Sequence, residues 1–158
     1  SFVAHATNGL IVGTGNRSED RITRYFQKFG DGCVDFCPIA DLWKSEVYDL
    51  FKWLAEEKTG VMGAGAKAIY DAKPSADLWG ADSGQEDEKE LGITYDEIEW
   101  ADKEDLKTTL IFRETSPDIE EKFNTYSERQ KEILLTLWKM EKISRHKANP
   151  NLPVCIIH

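Results

Sequence analysis

The side chains able to do chemistry fall in a few short stretches. Gly13-Thr14-Gly15-Asn16-Arg17-Ser18-Glu19-Asp20 is small and polar and directly follows the apolar run Gly9-Leu10-Ile11-Val12-Gly13. A glycine-rich turn leaving a buried strand is a natural ligand loop, because its backbone can approach a bound group closely. Glu19 in that turn reads two ways, as an oxygen ligand for a hard cation such as Mg²⁺ or as a charge favoured at a helix N-terminus. Further on, Lys28, Asp31 and Asp35 surround Gly30-Asp31-Gly32, where a helix-end lysine and turn-forming aspartates would look the same. Lys44 lies near the first turn of an amphipathic segment, a place where a lysine is ordinarily solvated. His146 and Lys147 close a long amphipathic segment, where the helix dipole alone favours cations.

Charge narrows what these groups could bind. The chain has 158 residues, is 41% apolar and 31% charged, and carries a formal net charge of -9. That composition is too apolar for a disordered chain and suits a folded, acidic unit. An acidic surface offers nucleic acid or an anionic membrane no long-range attraction, so neither is an expected partner. A phosphate-bearing ligand would have to be held by local Lys, Arg, backbone amides or a metal ion. Cys33, Cys37 and Cys155 form neither a disulfide framework nor a zinc motif and read as reduced cytosolic thiols, which places the protein in the cytoplasm. No apolar run is long enough to span a bilayer. The start at Ser1-Phe2-Val3-Ala4 lacks a Met and a signal-like pattern, as a fragment or a processed product would.

The elements that must position these residues follow from periodicity. Gly9–Val12 predicts a buried strand of a parallel sheet, followed by the ligand loop, and Ile22, Tyr25, Phe26 and Phe29 then predict a helix running to the Gly30-Asp31-Gly32 turn. Residues 41–57 predict an amphipathic helix through Leu42, Val47, Leu50, Phe51 and Leu54. Residues 60–73 give mixed signals, with Gly63 and Gly65 against helix and Ala64, Ala66, Ala68 and Ile69 for a short one. The stretch 73–92 predicts a polar loop. Capping boxes at Thr94–Glu97 and Ser127–Gln130 predict a short helix through Trp100 and a longer one over 127–147, before a proline-containing tail. Strand, loop and helix in this order predict an α/β fold.

Several of these segments, in this order, resemble the NAD synthetase family. They are Gly13-Thr14-Gly15-Asn16-Arg17-Ser18-Glu19-Asp20, Tyr25 through Asp35, Pro38-Ile39-Ala40-Asp41-Leu42-Trp43-Lys44-Ser45-Glu46-Val47, Lys73-Pro74-Ser75-Ala76-Asp77-Leu78-Trp79, Asp87-Glu88 with Leu91-Gly92, Tyr95-Asp96-Glu97-Ile98, and His146-Lys147. The resemblance implies an adenine nucleotide alpha hydrolase-like fold of the ATP pyrophosphatase type, a parallel sheet with flanking helices, of which residues 1–158 would form the C-terminal part of a single domain. It implies a carbon–nitrogen ligase, usually a homodimer, that amidates nicotinic acid adenine dinucleotide (deamido-NAD) to NAD. The carboxylate attacks the α-phosphorus of ATP to give an acyl-adenylate and pyrophosphate, and ammonia, free or derived from glutamine, then expels AMP. Position by position, Thr14, Lys44 and Ser75 resemble ATP-contacting residues, Glu19 resembles the Mg²⁺ carboxylate with Asp20 as its alternative, and Lys28, Asp35, His146 and Lys147 resemble dinucleotide contacts. Asp31 and Lys44 take the catalytic positions. The run Gln85–Glu90, ordinarily a solvated acidic loop, resembles a mobile lid within 73–92, and the residues around Pro150 and Pro153 resemble a family C-terminus.

The family's phosphate-cradling Ser-Gly-Gly-x-Asp-Ser loop is absent from this sequence. Three readings follow: an active synthetase completed by an N-terminal half, with the isolated chain inactive and a poor ATP binder; a non-catalytic interaction or regulatory module derived from a synthetase; or another amide-forming ATP pyrophosphatase. The His146-Lys147 ending and the Asp31/Asp35 turn favour the first over the third.

Overall fold

A computed structural model describes residues 2–75, 84–104 and 117–148. The chain opens with helix α1 (Phe2–Thr7) and turns at Asn8, which takes a left-handed φ of 52°. Residues 10–12 then run extended. Val12 pairs in parallel with Phe36, the Gly13 amide donating to the Phe36 carbonyl at 2.8 Å and the Asp35 amide to the Ile11 carbonyl at 2.9 Å. Among the described residues the predicted parallel sheet is present only as this bridge. A buried parallel strand needs a neighbour on each side and a cover on each face, and here Leu10 and Val12 stay 70% and 52% exposed.

The loop beyond the bridge winds into a π-helical turn, Arg17–Thr23, rather than opening directly into an α-helix. Asn16 and Glu19 cap its start reciprocally, side chain to backbone in both directions. The wide turn is filled from within, because the buried Thr23 hydroxyl donates to the Ser18 carbonyl at 3.0 Å, five residues back. Arg24 ends it in the left-handed region at φ 51°. The helix predicted through Phe29 is therefore cut at Arg24, and Phe29 sits 82% exposed on a run of turns.

Helix α2 (Lys44–Glu57) starts three residues after the predicted position 41. The Arg17 amide donates to the Leu42 carbonyl at 2.8 Å, and Arg17 and Arg21 both pair with the Asp41 carboxylate, so 41 and 42 serve the π-turn, while Trp43 caps the helix by donating its amide to Glu46 at 2.9 Å. Helix α3 (Gly60–Asp71) forms despite its glycines and packs on α2. A Cβ at Gly63 would lie 2.1 Å from the Lys58 carbonyl oxygen, so the junction of the two helices requires glycine there. Within the predicted polar loop 73–92, residues 76–83 lie outside the described residues and the end is a short helix, α4 (Asp87–Leu91), closed by Gly92 at φ 72°.

Helices α5 (Tyr95–Lys103), α6 (Pro117–Thr125) and α7 (Glu128–Ala148) complete the described chain. Thr94 and Glu97 form the predicted capping box of α5, and Ser127 and Gln130 exchange backbone and side-chain hydrogen bonds ahead of α7. The core lies between α5 and α7: Leu91, Ile93, Tyr95, Ile98 and Ala101 meet Ile133, Leu134 and Leu137, and Ile22 and Tyr25 of the π-turn region pack against that cluster. The site loop is thereby laid directly on the core. No helix among the described residues is long and apolar enough to cross a membrane. The tail from residue 149, with both of its prolines, lies outside the described residues.

Candidate functional site

The π-turn and the start of α2 face each other, and the link between them is an ion pair. Lys44, the first residue of α2, donates from Nζ to Glu19 Oε1 at 2.6 Å, and both side chains are four-fifths buried. The Lys44 amide also donates to the buried Ser18 hydroxyl oxygen at 3.2 Å. The other Glu19 oxygen accepts from the Asn16 amide at 3.4 Å as part of the capping box. Of the two readings open in the sequence the structure shows the N-terminal one, with Glu19 capping the turn, and it adds a lysine that neither reading foresaw.

Arg17 anchors the frame. Its Nε donates to Asp102 at 2.6 Å, its guanidinium lies 5.1 Å from the centre of the Trp43 ring, and the Trp43 indole N–H donates to the same Asp102 carboxylate at 3.0 Å. The π-turn, the start of α2 and the end of α5 are pinned at one point.

One cavity opens beside Glu19, and a second adjoins it. The first, of about 510 Å³, is lined by Thr14, Gly15, Glu19, Asp20, Asp31 and Ser75, among others. The second, of about 700 Å³, is lined by Arg21, Arg24, Lys28, Cys33 and Val34 on its own account. Asp20, Phe26, Asp31 and Lys147 line both, so they stand where the two spaces adjoin. The structure therefore gathers Thr14, Glu19, Asp31 and Ser75 around one space and Lys28, Asp31 and Lys147 around the other. Lys44 lines a smaller space of about 210 Å³ that shares Glu19, Ser75 and Asp87 with the first cavity.

Asp35 and His146 stand apart from these walls. Asp35 accepts the Ile11 amide at 2.7 Å and steadies the parallel bridge. His146 is exposed and its Nδ1 lies 3.1 Å from the Ile143 carbonyl oxygen, while its own backbone carbonyl accepts from Lys28 Nζ at 2.9 Å. Lys147 reaches back from the end of α7 to the carbonyls of Arg24 and Phe26, just past the π-turn. The His-Lys ending and Lys28 are thus joined, but through backbone oxygens.

Asp20 lies across Gly15, where a Cβ would fall 1.9 Å from its Oδ2. Burial, and next the neighbouring Glu19, push its carboxyl above the usual range. Burial likewise raises the Cys37 thiol, which donates to the Gly15 carbonyl. Neither Cys33 nor Cys37 is disulfide-bonded.

Sequence reasoning singled out neither Asp87 nor Tyr95 for the site. Asp87 is 5% exposed; its Oδ2 accepts the Tyr95 hydroxyl at 2.9 Å, and its Oδ1 is buried without a hydrogen-bond partner. Burial raises the Asp87 carboxyl above its usual range, opposed by the Tyr95 hydrogen bond and by Lys44. The Tyr95 hydroxyl also lies 3.4 Å from Glu19 Oε1, and Lys44 Nζ sits 5.2 Å from the centre of the Tyr95 ring. The sequence holds both residues in segments of the family resemblance, Asp87 within the lid run and Tyr95 in the capping box that opens α5, and neither signal names their partners.

The donor set can be tested for a metal. Among the described residues no group of three or more His, Cys, Asp and Glu side chains could hold a metal ion by itself. Mg²⁺ does not ask for one: it is commonly held by one or two carboxylates, with water and substrate phosphates supplying the rest. A single carboxylate beside a lysine at a cavity wall, as Glu19 is, fits that mode.

The comparisons with known proteins identify the family. The family model described as NAD synthase matches residues 2–151. The NH(3)-dependent NAD(+) synthetase of Archaeoglobus fulgidus is 47% identical over 98 residues, covering 62% of this chain and 34% of that protein. The enzyme of the same name from Pyrococcus furiosus is 34% identical over 139 residues, covering 82% of this chain and 49% of its own length. Among solved structures, an NMN synthetase from Francisella tularensis superposes with a TM-score of 0.66 at 29% identity, over 98% of this chain and 50% of that one. The chain thus spans between a third and a half of the length of these relatives.

Proposed function

The chain belongs to the NAD synthase family, and from that premise we propose that it carries the C-terminal part of an ATP-dependent amide-forming site acting on deamido-NAD. The observation that carries the reading is the buried Lys44–Glu19 pair, set between the π-turn and α2 on the wall of the cavities that hold Thr14, Ser75 and Asp31. In the whole protein the Val12–Phe36 bridge would be part of the parallel sheet of an adenine nucleotide alpha hydrolase-like fold. An N-terminal half would bring the phosphate-cradling loop, and the assembly would be a homodimer.

In the first step an oxygen of the nicotinate carboxylate forms a bond to the α-phosphorus of ATP, and the bond to the pyrophosphate oxygen breaks. Lys44 leaves Glu19 to donate to phosphate oxygens, where negative charge grows on the leaving group. Thr14 and Ser75 place hydroxyls along the same wall. Glu19, so released, is the carboxylate that would hold Mg²⁺, which supplies charge neutralisation along the triphosphate. In the second step ammonia attacks the acyl carbon, AMP departs with the bridging oxygen, and the nitrogen loses a proton. Asp31, which lines both cavities, would take that proton, and Lys28 and Lys147 would hold the dinucleotide side. No enzyme nucleophile is required.

The test is turnover by this chain fused to the segment that its relatives carry beyond the matched stretch. NAD, AMP and pyrophosphate should form from deamido-NAD, ATP and ammonia. Glu19→Gln and Lys44→Ala should each lower kcat on the order of 100-fold, as expected for losing one group that stabilises developing charge, with far-UV circular dichroism unchanged. The isolated chain should bind MgATP weakly. Unchanged turnover in both variants would retire these assignments, and a fused enzyme that folds but stays inactive would favour the interaction-module reading.

A further inference from the structure

The Tyr95 hydroxyl has a single proton and two carboxylates in reach, Asp87 Oδ2 at 2.9 Å and Glu19 Oε1 at 3.4 Å. The shorter contact takes the proton. Asp87 thereby fixes the far end of a ring whose face carries the Lys44 ammonium at 5.2 Å. The ring is held at its other end by the backbone of α5, where the Tyr95 amide donates to Glu88 at 2.8 Å. Asp87 is fixed in its turn, since its amide donates to the Pro74 carbonyl at 3.0 Å, next to Ser75. The contacts form one chain from Pro74 through Asp87 and Tyr95 to the Lys44–Glu19 pair.

The geometry points to Asp87 as a positioning residue of the site: through the Tyr95 hydroxyl it holds the aromatic ring under Lys44 and beside Glu19, and so sets where that pair stands. This rests on the reading of Lys44 and Glu19 as the phosphate and metal side of the site. A surface carboxylate could not do this work. Asp87 is 5% exposed and stays buried beside the pair with one oxygen unpartnered, an arrangement that costs desolvation. Asp87 also lines both cavities that meet at Glu19 and Ser75. If Asp87 only started α4, its effect on Lys44 would be independent of the Tyr95 hydroxyl; if it acts through that hydroxyl, removing either partner abolishes the influence of the other.

The experiment is a double-mutant cycle read by NMR on the ligand-free chain, following the ε-methylene and ammonium resonances of Lys44 assigned by Lys44→Arg. Wild type should show them displaced by the ring beneath. Asp87→Ala and Tyr95→Phe should each move them, and the double variant should move them no further than Tyr95→Phe alone. An unmoved Lys44 in Asp87→Ala overturns the proposal, and so does an Asp87→Ala shift that persists in full on the Tyr95→Phe background. Should Asp87→Ala lose its helical circular dichroism, Tyr95→Phe decides alone, because it keeps the ring and deletes only the hydroxyl; an unmoved Lys44 there overturns the proposal. In the fused enzyme Asp87→Ala should lower kcat on the order of 10-fold, a loss expected when a catalytic group is slightly misplaced, with KM for the dinucleotide unchanged. Moved resonances with full turnover in Lys44→Ala would retire the function and keep the coupling, whereas unmoved resonances with lost turnover would do the reverse.

Discussion

At the scale of single residues, the side chains that line the cavities also hold the fold together, and the two duties can be separated by experiment. Lys147 donates to the carbonyls of Arg24 and Phe26 while lining both cavities. Lys147→Met keeps the stem and removes the donors, so the end of α7 should loosen from the π-turn. The expected outcome is a lower melting temperature for the chain together with a raised KM for deamido-NAD in the fused enzyme; a changed KM at unchanged stability would mean that the lysine serves only the ligand. Lys44, Glu19, Thr14 and Ser75 could be named from the sequence because each sits in a short motif. Asp87 and Tyr95 lie in such motifs too, but their roles could not be named, because what matters about them is a contact between two elements. Asp35 shows the opposite case: its motif is intact, and its side chain spends itself on the Ile11 amide.

At the scale of elements, local signals were legible where the chain satisfies itself and illegible where a distant partner intervenes. The capping boxes of α5 and α7 stand as read, since both partners lie within four residues. The start of α2 and the end of the helix predicted through Phe29 do not, because Arg17 claims Leu42 and Asp41 from across the fold and Thr23 closes a π-turn that apolar spacing cannot announce. Arg129 provides a test of inter-element pairing. It meets Glu97 with two nitrogens at 2.7 Å each and so ties the start of α7 to α5. The Arg129 hydrogen bonds hold the Glu97 carboxyl below its ordinary 4.5. A carboxylate lowered in this way stabilises the fold above its unfolded value, and that contribution is lost as pH falls through the lowered folded value. Stability measured by urea titration should therefore drop as pH falls below about 4.5 in wild type, and less steeply in Arg129→Ala; equal slopes would show that the pair does not report to the fold. Gly63→Ala tests the α2–α3 junction. Alanine gains about 1 kcal/mol in helix propensity, but a Cβ 2.1 Å from a backbone oxygen forces the helices apart, a strain of about 1–3 kcal/mol. The variant should melt below wild type.

At the scale of the whole molecule, the proposed site would be one wall of a larger arrangement. The parallel bridge and the exposed Leu10 and Val12, in a chain that spans a third to a half of these relatives' length, are what the proposed reading expects of a sheet whose other strands would lie outside the described residues. The composition could not reveal this, since 41% apolar residues suit a part and a whole equally well. The cation, carboxylate and two hydroxyls around adjoining spaces are the groups that the proposed activation of a carboxylate with ATP would use. The most direct measurement follows the oxygen. With deamido-NAD labelled with ¹⁸O in its nicotinate carboxylate, the fused enzyme should release AMP carrying one label and pyrophosphate carrying none, because the carboxylate oxygen attacks the α-phosphorus and leaves with AMP. Label in pyrophosphate or inorganic phosphate, or NAD formed with unlabelled AMP, would contradict the account.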